Sequence, residues 1–141
     1  MIQRIQTLWL LIVAIAAFAT YTLTLYVGKV ADGALKVFQL ADDFLLVIII
    51  IALGLLAMIC LFLFKNRKLQ FKLSVFGIIF SIGFIFLEYI RVEGFKKTNL
   101  IQSGSYQIGA LLPILMVIFF FLAARGIYKD DRLIKSMNRL R

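Results

Sequence analysis

The chain of 141 residues has no histidine, one cysteine and one proline. Without histidine, the usual zinc, haem and Cys–His constellations cannot assemble. Cys60 alone cannot close an intrachain disulfide, and its place inside an apolar run marks it as a small buried filler. Charge is scarce as well, at 16% of residues against about 25% in an average soluble domain. Only 7 residues are acidic while 16 are basic, which leaves a net charge of +9. Paired carboxylates for acid–base work are therefore hard to find, and neither a catalytic residue nor a cofactor or metal site is expected.

What is abundant is apolar, at 63% of the chain. A soluble fold of this size could not hide so much apolar surface, so lipid is the expected solvent for much of it. Residues 44–64 carry no charge, and at 1.5 Å per residue such a helix spans about 30 Å, the thickness of a hydrocarbon core. Residues 73–90 form a second run whose one charge, Glu88, lies near its far end. Between them sit Lys65, Arg67, Lys68 and Lys72, a basic turn of the kind that stays cytoplasmic.

The opening residues allow two readings. Arg4, the apolar run and Ala17-Phe18-Ala19 imitate a secretory signal with an A-x-A site. The uncharged stretch continues over 6–28, however, longer than the usual h-region of about 7–15 residues, which favours a retained first helix over about 5–26. Trp9, Tyr21 and Tyr26 would then lie at the two headgroup belts. Beyond it, TYTLTLYV is rich in β-branched and aromatic residues, Asp32-Gly33 signals a turn, and ALKVFQL alternates. A short β-hairpin of 21–30 against 34–40 is expected in the first outer loop, with 106–108 either a third strand or the start of the fourth helix. Asp42 or Asp43 suits the N-cap of the second helix.

On the third run, Ser74, Gly77, Ser81, Phe84 and Glu88 step by three or four and share one helix face. Gly77 and Ser81 form a small-xxx-small pair, the candidate helix-packing contact. Glu88 and Arg91 are the candidate functional polar residues: an ionisable group in a span is a functional-site hypothesis, while an i,i+3 pair with Arg91 is the plainer reading. The fourth helix must start near 106 to reach 125, which puts Pro113 in its second turn, where a bend is expected. The tail 126–141 reads as an amphipathic helix, with Ile127, Leu133, Ile134, Met137 and Leu140 on its apolar side, or as an extension of that helix. Asp130 and Asp131 read as solvated tail charges beside Lys129 and Arg132.

The expectation is an all-α membrane protein of one domain, 1–141, with four transmembrane helices near 5–26, 44–64, 73–90 and 106–125. Eleven of the 16 basic residues fall on one side of this scheme, which places both termini in the cytoplasm. Lys65, Arg67, Lys68, Lys72, Arg125, Lys129 and Arg132 are expected to contact anionic lipid headgroups. The bilayer is the expected partner, with a second copy or another membrane protein as the candidate protein partner and nucleic acid set aside.

Three stretches also carry a resemblance: the opening MIQRIQTLWLL, the G-x-LLP of Gly109 to Pro113, and the closing ARGIYKDDRLIKSMNRLR. Together they resemble an uncharacterised family of small four-helix inner-membrane proteins of Bacteroidota, a domain of unknown function. Its R-x-I-x-K-D and terminal R-L-R correspond here to Arg125, Ile127, Lys129, Asp130, Arg139, Leu140 and Arg141, with a departure at Ser136-Met137-Asn138. The resemblance implies residence in the bacterial inner membrane and four helices, and it supplies no activity.

Overall fold

In the computed structural model, which describes residues 3–138, the element order is α1 (Gln3–Thr22), β1 (Thr24–Val30), β2 (Leu35–Gln39), α2 (Phe44–Phe62), α3 (Arg67–Thr98), β3 (Ile101–Tyr106) and α4 (Ile108–Asn138). Single 3-10 turns at Leu40–Asp42 and Leu63–Lys65 flank α2. Each helix packs on the next in the chain, and α4 closes the ring against α1. The bundle thus has two ends, one made by the α2–α3 turn, the start of α1 and the end of α4, the other capped by the sheet.

Apolar composition and length make these elements helices. Among the described residues, four helices are long and apolar enough to cross a membrane: Ile5–Thr22, Phe44–Lys65, Arg67–Thr98 and Ile108–Ile134, with mean hydropathy 1.7, 3.3, 2.1 and 2.3. No more than about a third of each is buried inside the bundle. The inward stripes are narrow: Gln6, Leu10, Val13, Ala17 and Thr20 on α1, and Met116, Phe120, Ala123, Ile127 and Asp130 on α4, repeat at three- and four-residue steps. The outward surface is apolar as well, with Phe18, Ile51, Leu55, Ile79, Phe86 and Phe121 exposed.

Two helices outrun their apolar cores. The third helix covers Arg67–Thr98 rather than 73–90, because the flanking Lys, Arg, Gln and Glu residues are themselves good helix formers. The fourth begins at Ile108, runs through Pro113 in its second turn, and absorbs the tail as a direct extension to Asn138. Pro113 lies inside the helix, where its missing N–H leaves the Gly109 carbonyl, four residues back, without its usual bond. At about 46–48 Å each, α3 and α4 are well beyond the length of a hydrocarbon core. The first helix ends earlier than 26, at Thr22, since TLYV joins the sheet instead. Arg139, Leu140 and Arg141, and the side chains of Arg4 and Met137, lie outside what is described.

The expected hairpin is present and has a third strand. The order is β2-β1-β3, with both neighbours antiparallel to β1. Gly33 takes the left-handed conformation in the β1–β2 turn (φ 78°), as the Asp-Gly signal requires. Of residues 106–108, Tyr106 ends the third strand, Ile101–Tyr106, which pairs with β1, and Ile108 begins α4; Gln107 between them donates its N–H to the Leu25 carbonyl at 2.9 Å. Phe38 on Phe95, with ring centroids 5.1 Å apart, seats the sheet on the last turns of α3. A two-stranded hairpin is marginal in isolation, so this third strand and helical seat account for its persistence.

Candidate functional site

The inward stripe of α3 is polar beyond what packing requires. It comprises Gln70, Ser74, Gly77, Ser81, Phe84, Glu88 and Val92, all buried. Gly77 leaves room on α3 for the Phe120 ring of α4. A Cβ built there would meet three atoms of the Phe120 ring on α4 at 2.7, 2.8 and 2.9 Å, closer than carbon atoms pack. Ser81 lies one turn further along the same stripe.

Glu88 follows two turns beyond Ser81 and is 3% exposed. Among the described residues, neither its Oε1 nor the Ser81 Oγ has a hydrogen-bond partner. The i,i+3 pair of Glu88 with Arg91 does not form. Arg91 turns instead to α2, where its Nε lies 3.0 Å from Asp43 Oδ2. Asp43 is a strong competitor for it. Its Oδ1 already accepts the Leu45 and Leu46 N–H groups at 3.0 and 3.4 Å as the N-cap, so its carboxylate is fixed in place. Lys96, the next cation along α3, is held by Glu93 at 2.6 Å and lies over the rings of Tyr26 and Tyr106 at 5.1 and 5.3 Å. The cations nearest in sequence to Glu88 are thus engaged elsewhere.

At the opposite end, three helices meet on one carboxylate. Asp130 is 5% exposed and accepts the Gln6 amide N–H at 2.7 Å, while Arg67 Nη1 lies 3.6 Å from the same oxygen. The solvated reading of Asp130 is corrected here: it continues the buried three-and-four stripe of α4 and ties α1, α3 and α4 together. Gly126 allows it, because a Cβ there would meet Gln6 Cγ at 2.8 Å. A second tie joins α2 to α3: Gln70 donates its amide to the Cys60 carbonyl at 2.9 Å, and Ser74 bonds back to the Gln70 carbonyl at 2.9 Å.

Of the basic residues singled out by sequence, Lys65, Lys68, Lys72, Arg125, Lys129 and Arg132 are exposed at this end, and Arg67 is partly buried beside Asp130. Gln6, Gln70 and Asp130 had been missed. One further step along each apolar stripe would have found them: Gln70 is four residues before Ser74, Asp130 three after Ile127, and Gln6 four before Leu10. Among the described residues, no group of three or more His, Cys, Asp or Glu side chains is placed to hold a metal ion.

These features define a class: a bundle of four apolar helices, tied by buried polar contacts at one end and capped by a small antiparallel sheet at the other. The chain belongs to the family described as a domain of unknown function (DUF4293), whose model matches residues 2–140. No curated protein and no solved structure matches it.

Proposed function

We propose that this chain is an integral membrane protein of a bacterial inner membrane, with four spans and both termini cytoplasmic, acting as a non-enzymatic structural or interaction subunit. One observation carries the reading. The helices bury only narrow stripes and leave continuous apolar surface around the bundle, as a protein solvated by lipid does. The ends differ in charge in the way the positive-inside rule describes, with Lys65, Arg67, Lys68, Lys72 and the α4 extension at one end and the sheet at the other. Packing of Leu10, Val13, Ala16 and Ala17 into the common core supports a retained first helix. The non-enzymatic part rests on chemistry: most of the buried polar side chains are spent on interhelical ties or on bonds to their own backbone.

Reporter fusions test the topology. One after Arg141 should be active only in the cytoplasm, and one inserted at Asp32-Gly33 only on the far side. A tail found outside would overturn the four-span arrangement. For the subunit role, solubilisation in mild detergent should retain a stoichiometric protein partner or a second copy, and recovery of bare monomer alone would count against it.

A second reading has its own support. Glu88, buried and without a partner for Oε1, is the kind of intramembrane carboxyl through which a small carrier or channel moves an ion or proton. Reconstituted protein would then show a proton or cation flux that Glu88→Gln abolishes. Flux unchanged in that variant would remove this reading.

A further inference from the structure

We propose that the groove between the start of α3 and the extension of α4 is a binding site for one anionic phospholipid, with its phosphate on Lys68 and Lys72. The proposal rests on the membrane reading above and goes beyond a diffuse basic belt. A cavity of about 330 Å³ lies there. Its rim carries Arg67, Lys68 and Lys72, and its apolar wall is Phe71, Ile127 and Tyr128. Asp131 also borders it.

The cations are not equivalent. Arg67 faces the buried Asp130 carboxylate at 3.6 Å, so part of its charge is answered within the protein. Lys68 and Lys72 are exposed, and neither forms an ion pair among the described residues. They stand one helical turn apart, about 5–6 Å between Cβ atoms, a span that lets two ammonium groups converge on one phosphate. Both belong to a helix that leads straight into apolar surface.

The wall decides between a lipid and a free phosphate. Phe71 and Tyr128 pack against each other with ring centroids 5.9 Å apart, and Ile127 lies between the groove and the core at 1% exposure. A soluble anion gains nothing from such a surface, whereas a glycerol backbone and the first methylenes of an acyl chain do. Basic pockets between spanning helices on the cytoplasmic side are the usual receptors of anionic headgroups, and a tyrosine at that depth matches the interfacial belt.

The test is native mass spectrometry of the full chain in detergent, titrated with phosphatidylglycerol and, separately, phosphatidylcholine. One phosphatidylglycerol should be retained in preference to phosphatidylcholine. At about fivefold per lysine, Lys68→Gln and Lys72→Gln each weaken retention by that factor, and the pair by about thirtyfold. The comparison pair, Lys65→Gln with Lys129→Gln, removes equal charge from the same end but outside the groove lining and should weaken retention much less than the groove pair. All four lysines are exposed, and circular dichroism should show unaltered helix content in each variant. Equal weakening by the comparison pair, equal retention of phosphatidylcholine, or displacement by millimolar inorganic phosphate would overturn the site. Flotation with vesicles separates the two levels. A chain that floats but lacks selective retention refutes only the groove, while one that does not float refutes the membrane reading beneath it.

Discussion

Two glycines on one face-to-face pair of helices offer a measurement with its own internal control. Gly77 and Gly83 both belong to α3, and replacing either by alanine brings the same gain in helix propensity, up to about 1 kcal/mol. Their surroundings differ completely. A Cβ at Gly83 meets nothing within 4 Å, whereas one at Gly77 meets the Phe120 ring at 2.7 to 2.9 Å. Phe120 is fully buried, so its ring can retreat only by displacing other core side chains. Overpacking of this kind costs about 1–3 kcal/mol. Gly83→Ala is therefore expected to be neutral or stabilising, and Gly77→Ala to lie about 1–3 kcal/mol below it. Unfolding in mild detergent, followed by circular dichroism and checked by size exclusion, reads the difference. Phe120→Leu makes room at the contact, so in the double variant Gly77→Ala should cost less than it does alone, a coupling characteristic of touching residues. Equal effects of alanine at 77 and 83, with no coupling to Phe120, would refute the seating of the Phe120 ring on Gly77.

Two further expectations concern stability. Asp130→Ala leaves the buried Gln6 amide without its acceptor and should cost about 1–3 kcal/mol, whereas Lys129→Ala on the exposed face should stay within about 0.5 kcal/mol; the same unfolding assay compares them. Leu100 follows α3 in the left-handed region (φ 50°) with its side chain exposed, so Leu100→Gly should stabilise by about 1 kcal/mol, and destabilisation there would show that the side chain holds a contact after all.

How much of this was legible follows from which forces act locally. Uncharged runs long enough to span a bilayer can hardly be anything but helices, so four helices could be read directly, as could a cap at Asp42 or Asp43 and the Asp-Gly hairpin turn. Helix ends are less legible, because a charge that ends an apolar run need not end a helix. Residues 67–72 and 91–98 contain Lys, Arg, Gln and Glu, which end an apolar run but readily continue a helix. The partner of Arg91 was out of reach for another reason. Spacing along one helix makes Glu88 a geometric candidate, but nothing in the local sequence reveals that the capping carboxylate of α2 sits across from Arg91. Asp130 shows the opposite case: its stripe position was visible, but a neighbourhood of Lys129, Asp131 and Arg132 disguised a buried carboxylate as one of a solvated set.

The buried hydroxyls of α1 and α3 divide in a way that makes one last expectation sharp. Thr20 and Ser74 are satisfied by their own helices, donating to the Ala16 and Gln70 carbonyls four residues back at 2.8 and 2.9 Å. Ser81 is equally buried and on the same face as Ser74, yet its hydroxyl makes no such bond. Removing a satisfied hydroxyl forfeits about 0.5–1.5 kcal/mol, while removing an unsatisfied one can be neutral or favourable. If the chain alone determines the site, Ser74→Ala destabilises by about 1 kcal/mol and Ser81→Ala does not, in detergent or in bilayers. If Ser81→Ala destabilises in bilayers but not in detergent, the hydroxyl has a membrane-dependent partner outside the chain, as an ion or proton pathway along the Glu88 stripe would supply. Measuring both variants in both environments therefore connects the unpartnered atoms at Ser81 and Glu88 to the choice between a subunit and a carrier. Identical behaviour of Ser74→Ala and Ser81→Ala in detergent would contradict the hydrogen-bond assignment itself.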